Sequence, residues 1–475
     1  MKKTKIIATI WPVTSNEEDI VKMYTSWANI IRFNFSHADY DNCSLLLNRI
    51  DKLNNSWKTK LSKLLDTKWP EIRTWTIQWQ ISYNIWDEFK IFVKDESLVS
   101  DKNIFCDYPY LTEDINIWDI IRIDSGLFDV EVLEKYENYV LVKAKNNAVI
   151  WSKRHINLPW IRLKLPWITE KDKEDILFWI NNGFDFIAAS FIRNKENIDE
   201  VRQFLQANNA AHIKIISKIE NQEAIDNMDE IIENSDWVMV ARGDLWIEVP
   251  LEKLPIYQKY IVQKCRKFWK ISIIATHFLE TMIDSYYPTR AEVNDIFNSI
   301  LQKTDAIMLS WETAVWKYPI KCINVMKSIA EEAESFIKYT YEEFDFCGIT
   351  QRDYEKKLLI RSAFSIWDDL GIKAVLIFTK SWLLARFASS FRSDVPIYAF
   401  SDQESSIHYM TALFGVSPIH IWLENYPWTI LEDSTKKLLD MGKLSKEDKI
   451  ISITDIAKNE NEIPSMQILN IDDII

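Results

Sequence analysis

Residues 213 to 247 read IKIISKIENQEAIDNMDEIIENSDWVMVARGDLWI and contain two apolar, β-branched runs joined by a polar, helix-forming stretch. The first run covers Ile213 to Ile219 and the second covers Trp237 to Ala241. An apolar run, an amphipathic stretch and a second apolar run predict a strand, a helix and a strand. Strands joined in this way are parallel neighbours in a sheet, so this segment indicates an α/β fold.

Charged side chains follow both runs. Lys218 and Glu220 end the first, and Asp244 follows the second. Residues i and i+2 of a strand share a face, and neighbouring strands lie about 5 Å apart, so the three side chains are expected to meet. Two carboxylates beside a lysine favour a magnesium site that handles phosphate. A surface ion cluster is the alternative.

Length and composition restrict the class of protein. The chain has 475 residues, enough for two or three domains, and a formal charge of −13, which argues against a nucleic-acid partner. It has no apolar stretch of about 18 residues and no secretory signal pattern, so a cytoplasmic protein without a membrane partner is expected. The five cysteines are scattered and form no CxxC pair, which supports neither a disulfide framework nor a zinc site.

Glycine is scarce and tryptophan abundant. The chain has 7 glycines and 21 tryptophans, whereas glycine averages about 7% of residues in globular proteins. Several tryptophans stand where a turn calls for glycine, as at Trp11 before Pro12 and Trp69 before Pro70. The hypothesis is that UGA codons that specify glycine have been translated as tryptophan. A tryptophan-rich protein is the alternative, and the intact mass of the natively expressed protein distinguishes the two.

Eight apolar runs alternate with helical stretches along the chain, which predicts a (β/α)8 TIM barrel. The runs are Thr4–Ile10, Asn29–Phe35, Ser62–Leu65, Phe184–Ala189, Ile213–Ile219, Trp237–Ala241, Ile271–Ala275 and Ala306–Leu309. Active sites of such barrels lie at the C-terminal ends of the strands. The polar residues at those ends include Arg32, Asn34, Ser36, Asp66, Thr67, Ser190, Lys218, Glu220, Asp244, Thr276 and Ser310.

Three domains are predicted. The barrel comprises residues 1–69 and 162–338. Residues 70–161 between them contain short alternating runs and predict an inserted small β-barrel domain, either a lid over the catalytic rim or a structural appendage. Residues 339–475 predict a C-terminal α/β domain with a regulatory or interface role, in which the polar stretch 455–463 is expected to be a loop.

Long motifs over most of the chain resemble the pyruvate kinase family. They are Ile30–His37, Leu65–Thr74, Ile216–Glu223, Met239–Leu245, Pro288–Val293 and Met308–Ala314. The family pattern has glycine where this chain has Trp11, Trp27, Trp69, Trp75, Trp160, Trp237, Trp246, Trp311 and Trp316, which supports the codon hypothesis. The resemblance implies a lid on a barrel and a C-terminal regulatory domain. It also implies phosphoryl transfer from phosphoenolpyruvate to ADP in glycolysis, giving pyruvate and ATP, by a homotetramer.

The resemblance also implies roles for the residues at the strand ends. Glu220 and Asp244 would hold Mg²⁺ or Mn²⁺, and Lys218 would neutralise charge on the transferring phosphoryl group. Arg32 would bind the substrate phosphate. The Gly243 and Asp244 backbone would approach the substrate carboxylate, and Thr276 would lie near the enolpyruvate carbon to help protonate it. For Thr276 a simple helix-capping role stays open.

Two further ligand sets come from the resemblance. Asn34, Ser36, Asp66 and the Thr67 carbonyl match the monovalent-cation site of the family and imply K⁺, and Glu71 occurs in the members that require K⁺. Arg73 would bind the transferring phosphoryl group or the nucleotide phosphates. The nucleotide would also contact His37 and Arg154, which stands beside Lys153 where the family has a lysine, and either of these two basic residues could make that contact. A lyase or mutase that uses phosphoenolpyruvate, and a non-catalytic metabolite-binding protein, are the alternative functions.

Overall fold

A computed structural model describes residues 2–11, 13–34, 40–67, 72–75, 80–93, 102–164, 168–315, 317–337, 350–423, 427–458 and 461–475. Its strands in chain order are β1 (Lys5–Thr9), β2 (Ala28–Asn34), β3 (Ser62–Asp66), β4 (Ile81–Tyr83), β5 (Glu88–Phe92), β6 (Ile104–Phe105), β7 (Ile120–Ile123), β8 (Phe128–Lys135), β9 (Tyr139–Ala144), β10 (Ala148–Ile150), β11 (Ile156–Asn157), β12 (Phe186–Ala189), β13 (Lys214–Ile219), β14 (Trp237–Ala241), β15 (Ile271–Ala275), β16 (Ala306–Leu309), β17 (Ile372–Phe378), β18 (Ile397–Ser401), β19 (Val416–His420), β20 (Lys449–Lys458) and β21 (Asn461–Asn470).

The α-helices surround these strands and connect them. In chain order they are α1 (Glu17–Thr25), α2 (Tyr40–Asn55), α3 (Leu111–Asp114), α4 (Glu170–Asn181), α5 (Lys195–Ala207), α6 (Gln222–Asp226), α7 (Met228–Asn234), α8 (Arg242–Glu248), α9 (Leu254–Lys267), α10 (Arg290–Leu301), α11 (Trp311–Ala314), α12 (Pro319–Glu334), α13 (Gln351–Ile366), α14 (Leu383–Ser390), α15 (Glu404–Met410) and α16 (Pro427–Asp440). Among the described residues no helix is both long and apolar enough to cross a membrane.

Eight parallel strands close into a barrel in the order β1-β16-β15-β14-β13-β12-β3-β2, which confirms the predicted TIM barrel. β14 and β15 are buried along their whole length. Because helices cover the outside of a parallel barrel and side chains fill its inside, such strands are continuously apolar. This is why short apolar runs located them in the sequence. All eight C-terminal ends meet at one rim.

The chain between β3 and β12 forms a separate β structure. A six-stranded sheet has the order β11-β7-β8-β9-β5-β6, and β4 pairs with β10 in a second, two-stranded sheet. Alternating burial along β8 and β9 places one face of the larger sheet on an apolar core of its own, which includes Phe89 and Phe128. The insert is therefore packed independently of the barrel core.

The C-terminal part is a five-stranded sheet in the order β19-β18-β17-β20-β21. The prediction of a loop over 455–463 was wrong, because β20 and β21 pair antiparallel through Asp455↔Pro464 and Lys458↔Asn461. β21 is the edge strand, and edge strands tolerate charged residues that mask an alternating pattern. An apolar core runs from inside the barrel into this part, where the Phe186 ring lies 5.8 Å from that of Tyr409.

Candidate active site

Asp66 is the centre of a buried ion-pair network at the barrel rim. It ends β3, is 2% exposed, and accepts from Arg32 Nε at 2.7 Å and from Lys218 Nζ at 3.0 Å. Burial opposes its charge, but Lys218 and Arg32 outweigh that effect and lower the pKa of Asp66. Thr9 Oγ1 accepts a further bond from Arg32 at 3.0 Å. The network therefore holds the Lys218 and Arg32 side chains on either side of one carboxylate.

Lys218 bridges the carboxylates of the rim. Its Nζ lies 2.8 Å from Glu220 Oε1 and donates to Ser190 Oγ at 2.9 Å. Burial lowers the pKa of Lys218, but Asp66, Glu220 and Asp244 raise it by more, so the net shift is upward. Lys218 and Glu220 thus point the same way, as their i, i+2 spacing predicts. The ammonium group stays protonated at neutral pH and lines a cavity together with Arg32 and Asp244.

Glu220 is a fully buried carboxylate whose hydrogen bonding is incomplete. Its Oε2 accepts from the Phe191 amide at 2.6 Å. Its Oε1 has an ion pair with Lys218 but, within the part of the chain that the structure describes, no hydrogen bond of good geometry. Burial, reinforced by the charge of Asp244, raises the pKa of Glu220 to about 8. A divalent cation between the two carboxylates would remove this penalty. The donor set fits such an ion.

The carboxylates at the rim suit a partly hydrated ion. Within the described ranges no three His, Cys, Asp or Glu side chains cluster as ligands of one metal ion. Mg²⁺ is commonly held by one or two carboxylates, with waters and substrate phosphates completing the octahedron. Glu220 and Asp244 match that pattern, whereas a protein cage for Ca²⁺ or Zn²⁺ needs more ligands.

Gly243 lies in a tight junction between α8 and the end of β15. Its amide donates to Thr276 Oγ1 at 2.7 Å, and Thr276 Oγ1 donates to the Ala275 carbonyl at 2.7 Å. A Cβ at residue 243 would lie 3.3 Å from Thr276 Oγ1, closer than such atoms normally pack. Arg242 fixes the same junction by donating to the Thr276 carbonyl at 2.6 Å and to Asp295 at 2.8 Å. The sequence here needs glycine for close approach.

Asn34, Asp66 and Thr67, three of the residues predicted to bind K⁺, lie at the ends of β2 and β3. Asn34 and Asp66 are register partners, and the Thr67 carbonyl accepts from Ser190 Oγ at 3.0 Å. These three are brought together beside the Lys218 network. Ser36 and Glu71 lie outside the described residues.

The insert supplies the opposite wall of the site. Arg73 Nη1 donates to the Lys153 carbonyl at 2.8 Å, and Arg154 pairs with Asp124 at 3.2 Å. Both arginines line a cavity of about 370 Å³ with Arg32, Asp66 and Lys218 from the barrel. An adjoining cavity of about 480 Å³ contains Gly243 and Thr276. The cationic site therefore opens between insert and barrel. His37 lies outside the described residues.

Comparison with known proteins identifies the family. The profile of "Pyruvate kinase, barrel domain" matches residues 1–323, and that of "Pyruvate kinase, alpha/beta domain" matches residues 357–469. The chain belongs to the pyruvate kinase family. It is 35% identical over 468 residues to a pyruvate kinase of Bacillus licheniformis, covering 95% of this chain and 77% of that relative. It is 35% identical over 457 residues to a pyruvate kinase of Borreliella burgdorferi, covering 95% and 94%.

A solved structure extends the likeness to three dimensions. The crystal structure of a pyruvate kinase from Cryptosporidium parvum has a TM-score of 0.92 and 29% sequence identity. The likeness covers 99% of this chain and 96% of that one. The pyruvate kinase fold is thus shared along the whole chain, including the insert and the C-terminal sheet.

Three contributors to this pyruvate kinase site were missed from sequence. Thr9 supports Arg32, Asp295 pairs with Arg242, and Asp124 of the insert pairs with Arg154. Thr9 could have been found, because it ends β1 as the other site residues end their strands. Asp295 on α10 and Asp124 in a turn of the insert have no such signal, since only the tertiary fold brings them to the rim.

Proposed function

We propose that the chain transfers the phosphoryl group of phosphoenolpyruvate to ADP, giving pyruvate and ATP, in the cavity between barrel and insert. The observation that carries this proposal is the set of cations lining one cavity: Lys218 and Arg32 from the barrel, Arg73 and Arg154 from the insert. Phosphoryl transfer depends on positioning and on charge stabilisation more than on covalent chemistry, so converging fixed cations suit it. The family assignment supports the same reaction.

The barrel cations would hold the transferring group. Arg32 presents a planar guanidinium suited to phosphate, and Asp66 keeps it in place at 2.7 Å. Lys218 would neutralise charge that develops on the phosphoryl oxygens. Glu220 and Asp244 would hold Mg²⁺ or Mn²⁺, which when bound neutralises phosphate and carboxylate oxygens of the substrates. Arg73 would bring a further positive charge from the insert side.

The oxygen atoms of Asn34, Ser36, Asp66 and Thr67 would hold K⁺. Carboxylate, amide, hydroxyl and carbonyl oxygens are hard ligands of the kind that alkali cations need. Asp66 Oδ1 accepts from Lys218 and Ser190, and Oδ2 accepts from Arg32. Because each carboxylate oxygen accepts about two hydrogen bonds or ligands, Oδ2 has a lone pair that could contact K⁺. K⁺ would add positive charge beside the substrate phosphate.

Thr276 would assist protonation of the enolpyruvate. Its hydroxyl accepts from Gly243 N and donates to the Ala275 carbonyl, and the side chain lines the same cavity as Asp244. The hydroxyl therefore has a defined orientation next to the position proposed for the substrate carboxylate. A water that donates one hydrogen to the Thr276 hydroxyl oxygen would be oriented to give its other proton to the substrate carbon, and bulk solvent would replace that proton.

We further propose that the natural protein has glycine at most positions printed as tryptophan. Seven tryptophans of the described residues have positive φ: Trp11, Trp27, Trp57, Trp86, Trp118, Trp160 and Trp269. Positive φ is a genuine outlier for a bulky residue and ordinary for glycine. Trp237 is fully buried and its Nε1 has no hydrogen-bond partner among the described residues, whereas buried indole N–H groups are normally paired. Trp246 and Trp311 line the larger cavity and would narrow it.

The remaining attributes follow from the family. We propose a cytoplasmic glycolytic enzyme and a homotetramer, with domain boundaries near residues 70, 162 and 339. The insert, residues 70–161, would act as the lid, since Ser125 and Leu127 line the larger cavity together with Gly243. Size-exclusion chromatography with light scattering tests the tetramer.

The activity is tested on the full chain made with glycine at the tryptophan positions. Pyruvate formation from phosphoenolpyruvate and ADP is followed in a coupled assay with and without K⁺. Lys218→Met should abolish turnover and leave metal binding largely intact, with circular dichroism confirming that the variant folds. The proposal fails if the folded protein forms no pyruvate under any of these conditions.

A further inference from the structure

Helix α8 connects the candidate active site with the insert. Its seven residues, Arg242 to Glu248, rise about 1.5 Å each, so the helix is about 10 Å long. The N-terminal end contains Gly243 and Asp244 and is fixed to the barrel through Thr276 and Asp295. The C-terminal end faces the insert. A displacement of one end of so short a helix moves the other.

The insert holds the C-terminal end of α8 at three points. Glu248 Oε1 accepts from Asn157 Nδ2 on β11 at 2.7 Å, and the Ile247 carbonyl accepts from Arg122 Nη1 on β7. The Ile247 side chain also packs at Gly126, where an added Cβ would lie 3.5 Å from it. Strands β7 and β11 are neighbours in the large sheet of the insert. The three contacts therefore come from two paired strands of the insert and from the turn that follows β7.

The Glu248–Asn157 bond is shielded from water. Glu248 is 8% exposed and Asn157 is 3% exposed. The carbonyl oxygen of a carboxyl group accepts such a bond whether or not the group is ionised, and removing one partner of a buried hydrogen bond leaves the other without compensation. Asn157 is also the last residue of β11, after which the chain returns from the insert to the barrel. The bond thus spans the junction between the two units.

We propose that Glu248 is a positioning residue that couples the placement of the insert to the placement of Asp244. This inference rests on the proposed function, in which Asp244 is a metal ligand and Arg73 and Arg154 of the insert contact the nucleotide. Nucleotide that draws the insert toward the barrel moves β11 and β7, and α8 transmits that movement to Asp244. Metal affinity is therefore greatest when the insert is seated on the barrel.

The coupling is tested by cutting the bond from either side. Glu248→Ala and Asn157→Ala remove it, whereas Glu248→Gln keeps an oxygen that accepts from Asn157. Glu252→Ala is the matched control, because Glu252 is exposed and lies just beyond α8. Binding of Mn²⁺ alone is titrated by electron paramagnetic resonance, and the Mg²⁺ activation of turnover is measured in parallel. Loss of a group that hydrogen-bonds a metal ligand directly weakens metal binding by about 10- to 100-fold, so a change that acts through α8 is expected at the lower end of that range.

Both alanine variants should bind Mn²⁺ at least about tenfold more weakly, with Glu248→Gln and Glu252→Ala close to the parent protein. Unchanged Mn²⁺ affinity in a folded alanine variant overturns the coupling, and so does an effect in Glu248→Ala that Asn157→Ala lacks. If Glu248→Ala does not fold, Asn157→Ala provides the test. A parent protein that binds Mn²⁺ but makes no pyruvate overturns the proposed function instead, and the Mn²⁺ titrations still decide the coupling.

Discussion

Trp118 offers a direct test of whether glycine belongs at the tryptophan positions. It is the third residue of the turn Asn116-Ile117-Trp118-Asp119, in which the Asp119 amide donates to the Asn116 carbonyl at 3.2 Å. Its φ is +77°, and the identical sequence at residues 84–87 has Trp86 at +76°. A turn with positive φ at its third residue is the type II turn, which calls for glycine there. The change to make is Trp118→Gly.

The expected magnitude follows from two opposing terms. A left-handed conformation costs an L-residue about 1–2 kcal/mol, which glycine avoids. Glycine loses about 0.5–1 kcal/mol more backbone entropy on folding. The Trp118 side chain is 69% exposed, so its removal sacrifices little buried area. The free energy of unfolding should therefore rise by about 0.5–1 kcal/mol.

Trp422→Gly is the control. Trp422 is 67% exposed but does not have positive φ. The change to glycine there costs backbone entropy and relieves no left-handed backbone conformation. It should lower the free energy of unfolding by about 0.5–1 kcal/mol. Urea unfolding of both full-length variants, followed by circular dichroism, gives the comparison. If Trp118→Gly is no more stable than Trp422→Gly, the reasoning from backbone conformation is refuted.

Three further changes test the site. Gly243→Ala places a Cβ 3.3 Å from Thr276 Oγ1 and should raise KM for phosphoenolpyruvate about tenfold, which corresponds to about 1.4 kcal/mol of lost binding free energy. Thermal stability should stay nearly unchanged. An unchanged KM would show that the junction does not shape the substrate site. Glu71→Lys should reduce the dependence of turnover on K⁺, and undiminished K⁺ activation would count against the proposed cation site. Burial raises the pKa of Glu248 to about 7, whereas a glutamate in the unfolded chain releases its proton near pH 4.3. Between these pH values the folded protein binds more protons than the unfolded chain, so the free energy of unfolding falls as pH rises from about 4.3 to about 7. Because glutamine does not titrate, Glu248→Gln should remove this fall in the free energy of unfolding, which amounts to about 1.4 kcal/mol for each unit of difference between the two pKa values. Urea unfolding at several pH values measures it, and the same pH dependence in both proteins would contradict the raised pKa of Glu248.

The barrel and the catalytic side chains of its rim could be predicted from sequence because both depend on local pattern. Strands such as β14 are buried on both faces, so their apolar runs ended where the strands end. The two-residue period of a strand predicted that the Lys218 and Glu220 side chains point the same way. Strand β21 could not be predicted in full, since an edge strand lacks that burial pattern. The contacts of Asp295 and Asn157 with α8 depend on the tertiary fold, and no spacing of residues in the sequence indicates these contacts.

The pairing of β1 with β16 affects how the chain is made. Lys5 pairs with Ala306, so the first strand has no partner on that side until some 300 residues later. At ribosomal speeds of about 5–20 residues per second, that interval lasts about 15–60 s. The insert has its own core, and its described strands lie between Ile81 and Asn157, so its sheet can form well before the barrel closes. Until then the edge of β1 that faces β16 stays unpaired, and unpaired strand edges are surfaces on which nascent chains aggregate or engage chaperones.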